Sequence, residues 1–247
     1  MKKMAWLTGV LACVMVVLTA LGSVCNAVWQ IAIDESFYSE QSRAAVKTAM
    51  GFTTEEEVTA YIGLTPEEQA HFAWTASEHM LGEDESIDFP HYISHDESRH
   101  MIDVRNLVWT ARDTGKICMT LAAVLAVIIA WTGAKVKRRG LALLVGTISG
   151  AALTAAIAAG AACMLRSSGF ARAFTRMHEL LFDNDLWLMN PAEDILIRMM
   201  PQPLFEQTML TGAGMALRMT LIAALMLLAV CAVVGAMIRR NLTKENA

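Results

Sequence analysis

Four stretches of the chain, roughly residues 4–31, 117–134, 141–165 and 215–238, are almost wholly apolar. A helix needs about 20 such residues to cross the hydrocarbon of a bilayer, so each predicts a transmembrane helix. The first follows Lys2 and Lys3. Its apolar run exceeds the length of a secretory signal core and reads as a retained signal anchor. Between the spans the pattern turns polar and helical. Thr54 with Glu57 and Thr65 with Glu68 form capping boxes, and Pro66 occupies the favoured first helical position. Ala70, Ala73, Trp74, Ser77, Met80 and Leu81 then recur near i, i+3, i+4, and Gly82 can stop the helix. Residues 82–90 form an acidic loop. A third box, Ser94 with Glu97, opens a helix that runs through Trp109 into the second span.

The last polar segment predicts a helix over residues 170–182, with Phe174, Met177, His178, Leu181 and Phe182 on one face. Asp183, Asn184 and Asp185 make a turn. Asn190 then caps a short helix, with Glu193 at its capping-box position and Met200-Pro201 at its end. No alternating run reads as a strand. The pattern therefore predicts an all-α, polytopic membrane protein: four transmembrane helices with a small helical extracytoplasmic cap. Its divisions are a first span (1–31), a cap segment (32–115), spans two and three around a basic loop (116–165), a second cap segment (166–211), and a fourth span with its tail (212–247).

Charge adds orientation. The net charge of −4 hides a sharp separation by segment. Lys135, Lys137, Arg138 and Arg139 crowd the link between the second and third spans, and Arg239, Arg240 and Lys244 follow the fourth. Residues 30–115 carry seventeen acidic against five basic side chains. Positive loops stay in the cytoplasm, so both termini are expected there, in a bacterial cell membrane, with the acidic cap outside. A hydrophobic share of 55% and a mean hydropathy of +0.42 agree with a membrane protein.

Candidate chemistry is narrowed by what is missing. There is no G-x-S-x-G elbow, H-E-x-x-H zinc motif or glycine-rich phosphate loop. The five cysteines all fall in or at the ends of spans and read as small packing residues. Neither metal nor cofactor is expected, and no nucleic acid as partner. What titrates near neutrality is six histidines, all in polar segments. His71 and His79 read as a solvated helix flank, and His91 and His95 sit in or beside a loop. His100 has Glu97 and Asp103 at i−3 and i+3, either of which could orient its ring, although Glu97 is also the partner of Ser94. Glu97-x-x-His100 resembles half of a di-iron motif, but no second copy exists. His178 lies on an aromatic face after the third span. Two imidazoles at similar height above a membrane suit acid–base work on a lipid. Arg218, near the outer end of the fourth span, is costly there unless it meets headgroups or an anionic or carbonyl group of a substrate.

The run from Phe174 to Phe205, FTRMHELLFDNDLWLMNPAEDILIRMMPQPLF, resembles the late signature of the bacterial lipoprotein intramolecular transacylases, and ESRHMIDVR, Glu97 to Arg105, resembles that family's other signature. The resemblance implies four spans under an extracellular cap. It carries two catalytic histidines onto His100 and His178. Substrate-binding roles are expected for Glu97, Asp103 and Arg105 in the first run, and for Phe174, Phe182, Asn184, Asp185 and Trp187 in the second, with Arg218 joining them. Leu181 and Leu204 stand where further aromatics are expected. The implied reaction moves an acyl chain from the sn-2 ester of a lipoprotein's diacylglyceryl group to the α-amine of its N-terminal cysteine, with membrane lipid and the diacylated lipoprotein as partners. His100 is provisionally the base and His178 the acid. Two other readings stand beside it: a non-catalytic membrane protein whose acidic cap binds an envelope partner or senses pH, and a phospholipid acyl hydrolase.

Overall fold

The computed structural model describes residues 2–82, 89–133 and 139–245, and all regular structure among them is helical. In order these are α1 (Lys2–Ala32), α2 (Glu35–Tyr38), α3 (Glu40–Met50), α4 (Glu55–Ile62), α5 (Pro66–Leu81), α6 (His95–Gly133), α7 (Arg139–Ser168), α8 (Phe170–Leu181), α9 (Ile195–Met199) and α10 (Gln202–Glu245). Four of them, α1, α6, α7 and α10, contain a stretch long and apolar enough to cross a membrane. Most of the acidic loop after Gly82 and the basic residues Lys135, Lys137 and Arg138 lie outside the described residues.

The chain divides into two compact units: Met1–Asn26, Asp113–Cys163 and Gly214–Ala247 in one, Ala27–Arg112 and Met164–Ala213 in the other. The first is apolar. Ala12, Met15, Ala122, Ala126 and Ile129 form its buried core, while Leu141, Leu144, Ile148, Leu217 and Leu221 point outward. Small residues let α1 and α7 approach closely. A Cβ on Gly146 would overlap the Gly9 carbonyl oxygen, and one on Gly150 would lie 2.8 Å from the Cys13 carbonyl oxygen.

The second unit has an ordinary hydrophobic core, including Phe37, Tyr38, Val46, Val58, Ile62, Phe72, Met80, Leu196 and Met199. The capping boxes of α4 and α5 form as the sequence predicts. At its centre the buried guanidinium of Arg43 donates to Glu55 Oε2 (3.1 Å), Gln69 Oε1 (3.2 Å) and Thr59 Oγ1 (2.7 Å). Gln69 in turn donates to the Tyr38 carbonyl and to Ser42 Oγ, both at 2.9 Å. The Ser42 hydroxyl donates to the Met199 carbonyl at 2.7 Å, tying α3 to α9. The buried polar groups of this network are thus paired with one another, which spares each the cost of lost hydration.

Two expectations are corrected, and one helix proves longer than its span. The short helix does not begin at Asn190 but at Ile195. The Asn190 side chain accepts from Ala192 N, and Asp194 Oδ2 accepts from Asn190 N, closing residues 190–194 as a turn in which Glu193 caps nothing. The last helix begins at Gln202 and so, like α6, runs from the polar unit into its apolar stretch. His79 is no solvated flank: it is 0% exposed, packed edge-on against Phe89 with ring centroids 5.2 Å apart. It sits on the same side of α5 as Phe72, Ala76 and Met80, a face that the i, i+3, i+4 count did not assign to it.

Candidate active site

The site begins with a cap. Ser94 N donates to Glu97 Oε2 at 2.8 Å, and Glu97 N donates to Ser94 Oγ at 3.2 Å, so α6 starts in a closed capping box. The other carboxylate oxygen, Oε1, accepts from Leu196 N at 2.6 Å. One buried carboxylate therefore caps its own helix and satisfies the first turn of α9, which has no side-chain cap of its own. Both oxygens of Glu97 are occupied. It is a strut that fixes α6, and it does not hold the ring of His100.

One turn later His100 projects inward, 7% exposed, and His178 from α8 meets it, also 7% exposed. Their ring centroids are 6.2 Å apart and the planes differ by 28°. Aromatic rings enclose the pair. Phe182 lies 5.2 Å from His100 and 5.4 Å from His178, Trp187 lies 5.0 Å from His178, and Phe174 lies 4.0 Å from it. Four-residue spacing along α8 puts Phe174, His178 and Phe182 on one edge. Phe205 stands 5.4 Å from Phe174, and Phe170 5.9 Å from it. Sequence reasoning did not assign these two to the lining, although Phe205 ends the second signature and Phe170 precedes Phe174 by one helical repeat.

The two rings differ electrically. His178 Nδ1 lies 2.8 Å from the Phe174 carbonyl oxygen. A carbonyl can only accept, so Nδ1 carries the proton and the neutral ring presents its lone pair at Nε2. His100 Nδ1 is buried with no hydrogen-bond partner. Burial pushes the His100 pKa down to about 4, helped by the nearby His178 and opposed by Asp103. His100 stands clear of the lipid-spanning part of α6, from which Asp103, Arg105, Arg112, Asp113 and Lys116 separate it. Burial also lowers His178, while its bond to Phe174 works the other way. Both imidazoles are therefore neutral near pH 7.

The remaining candidates fall into distinct places. Asp103 accepts from Asn184 Nδ2 at 2.9 Å through Oδ2, joining α6 to the loop that carries Phe182 and Trp187. Asn184 Oδ1 accepts from Leu186 N, holding that loop in a side-chain turn, and the exposed Asp185 contributes its carbonyl to Leu188 N. Asp103, Asn106, Leu107, Thr110, Leu181, Phe182, Asp183 and Asn184 line a cavity of about 320 Å³. Arg105 points elsewhere: it is buried, donates to the Gly82 carbonyl and stacks 4.3 Å over Trp109. Arg218 belongs to the apolar unit, exposed, with Nε donating to the Gly214 carbonyl at 3.3 Å. No group of potential metal ligands occurs among the described residues.

Fold and spans define a multi-pass, all-helical integral membrane protein. Residues 7–205 match the family described as lipoprotein intramolecular transacylase Lit, and the chain belongs to that family: it is an acyltransferase, a lipoprotein intramolecular transacylase. Solved structures of the membrane-integral Lit from Bacillus cereus share its fold. One aligns over 97% of this chain and 100% of that one at 16% identity, with a TM-score of 0.62. Two variants of the same protein, with a histidine replaced by arginine or by alanine, align at 15% and 16% identity with TM-scores of 0.59 and 0.57, covering 97% of this chain and 96% and 97% of those. No curated protein matches the sequence significantly.

Proposed function

We propose that this enzyme moves an acyl chain from the sn-2 ester of a lipoprotein's diacylglyceryl group to the α-amine of the same N-terminal cysteine, leaving a lyso-form lipoprotein. The observation that carries the reading is the pair of neutral, enclosed imidazoles of which one has its tautomer fixed. The tautomer reverses the provisional roles. His178 Nε2 takes the proton as the amine nitrogen attacks the ester carbonyl. The imidazolium then returns that proton to the glycerol oxygen as the C–O bond breaks. No proton is gained or lost overall, and no acyl-enzyme forms. His100, whose low pKa keeps it neutral, donates an N–H hydrogen bond to the tetrahedral oxyanion. Donor and acceptor belong to one molecule, so orientation alone is worth effective molarities of up to about 10⁵–10⁸ M. The aromatic rings exclude water that would hydrolyse the ester.

In this reading the polar unit, residues 27–112 and 164–213, is the catalytic cap. It faces outward from a bacterial cell membrane, with both termini in the cytoplasm, as the basic loops require. Asp103, Asn184 and Phe182 hold the substrate beside the histidines, and Arg218 meets headgroups.

Mass spectrometry of one lipoprotein's N-terminal peptide, from cells carrying the wild type, His100→Ala, His178→Ala or no copy, tests this. Conversion of diacylglyceryl-cysteine to the N-acyl, monoacylglyceryl form by wild type alone is expected. Full conversion by either variant removes that residue from catalysis. Release of free fatty acid in place of the N-acyl product makes the enzyme a hydrolase.

A further inference from the structure

Helix α8 carries more than a histidine. Its positions fall into three stripes at helical spacing. Phe170, Phe174 and His178 face the aromatic enclosure. Arg172, Arg176 and Glu179 form a charged stripe, all exposed, in which Arg176 Nη1 lies 3.6 Å from Glu179 Oε2. Such an exposed pair holds the arginine only weakly. Between these two stripes run Ala173, Met177 and Leu180. Leu180 is 84% exposed and Met177 45%, and Leu188 on the following loop is 63% exposed. Large aliphatic side chains thus stand open immediately beside the catalytic pair, although the unit that carries them has a closed core of its own.

We propose that α8 and the loop after it dock on the lipid bilayer, with Met177, Leu180 and Leu188 entering the acyl region and Arg172 and Arg176 meeting lipid phosphates. Three observations select this occupant. An aliphatic stripe bordered by arginines is the pattern of a helix lying in the membrane interface. The arginines have the sign that phosphates require. Gly169 alone separates α8 from α7, whose residues Gly140–Gly160 are themselves a membrane span, so the lipid surface is already at hand. The docked stripe adjoins the histidine stripe, so acyl chains reach His178 from the side without leaving the bilayer.

A fluorescent amino acid placed at Leu180, Leu188 or the exposed Glu56 of the full-length protein reads this directly in vesicles whose lipids carry bromine along their acyl chains. Quenching several-fold stronger at 180 and 188 than at 56 is expected. Equal quenching at 180 and 56 overturns the proposal. So does weak quenching at 180 that rises as the protein is diluted in the vesicles, which makes the occupant a second copy. In vesicles containing anionic lipid, the double variant Arg172→Glu, Arg176→Glu should lose at least half of the quenching at 180, and no change removes the arginines from the docking surface. The measurement is made without substrate, so it stands or falls apart from the reaction proposed above.

Discussion

Each of the two units of this chain coheres by a different force, and the difference bears on where the proposed chemistry would sit. In the apolar unit, adhesion comes from close approach. Alanines fill its core, and glycines let α1 and α7 touch backbone to backbone. Lipid tails are as apolar as the side chains they meet, so burial from water contributes little there and contact contributes most. The polar unit closes around Phe37, Phe72, Val46 and Met80 by the hydrophobic effect, and it pairs nearly every buried polar group, as around Arg43. Against that background a few unpartnered atoms stand out, Arg105 Nε and Thr208 Oγ1 among them, and two of the residues are histidines. His79 has no partner for either ring nitrogen, and His100 has none for Nδ1. A fold that satisfies the Arg43 guanidinium leaves one nitrogen of His100, in the pair proposed to move the proton, and both nitrogens of His79 without a partner.

The sharpest test of that contrast is to remove the chemistry and keep the core. His178→Ala should lower turnover about 10²–10⁴-fold while the unfolding temperature in detergent stays close to wild type; a parallel loss of both makes the residue a packing element. The unpaired His79 gives the next effect. Burial, followed by the charge of Arg105, depresses its pKa to about 4 from 6.5. The unfolded chain therefore takes up a proton below pH 6.5 that the folded chain refuses until pH 4. Stability present above pH 6.5 is lost as the pH falls through this window, by up to roughly 3 kcal/mol. His79→Leu should flatten that acid slope in unfolding curves, leaving the part due to His100 and His178.

Glu97→Ala removes two hydrogen bonds to a buried carboxylate and should cost about 2–3 kcal/mol, with partial rescue by Glu97→Gln; an unchanged unfolding midpoint would show that α6 and α9 are fixed by other means. In the apolar unit, Gly146→Val must part α1 from α7 and should cost about 1–3 kcal/mol in thermal unfolding, with activity retained at permissive temperature. The smallest effect belongs to Asn184→Ala, which frees the loop from Asp103. About 0.5–1.5 kcal/mol is expected, appearing as a raised KM with kcat nearly unchanged.

Much of this was legible in the sequence, for identifiable reasons. Spans and capping boxes are local, and α4, α5 and the start of α6 form as Thr54, Thr65 and Ser94 announce. The two signatures and a similar distance to a span single out His100 and His178 in the sequence, but that their rings face each other is shown only by the structure. Long-range partners were not legible. That Glu97 would spend its second oxygen on Leu196 N, ninety-nine residues away, leaves no trace in local pattern. His79 falls outside the apolar positions counted along α5, and only the packing of Phe89 shows which way the ring turns. The turn at 190–194 prevailed over the expected helix because Asn190 and Asp194 bind each other's segment before a helix can start.

One contact has an unusual genetic consequence. Where a side chain sets the orientation of a histidine ring, a scan of substitutions uncovers it. Here the partner of His178 is the carbonyl oxygen of Phe174, an atom that every amino acid at that position supplies. No codon change can delete it. Exchanging Phe174 alters the ring against the imidazole but leaves the tautomer intact, so under the mechanism proposed above the residue that steers the proton would look, in any mutational survey, like one that merely packs. Only chemistry on the main chain can expose it. Replacing the 174–175 amide with an ester weakens that oxygen as an acceptor while every side chain keeps its place.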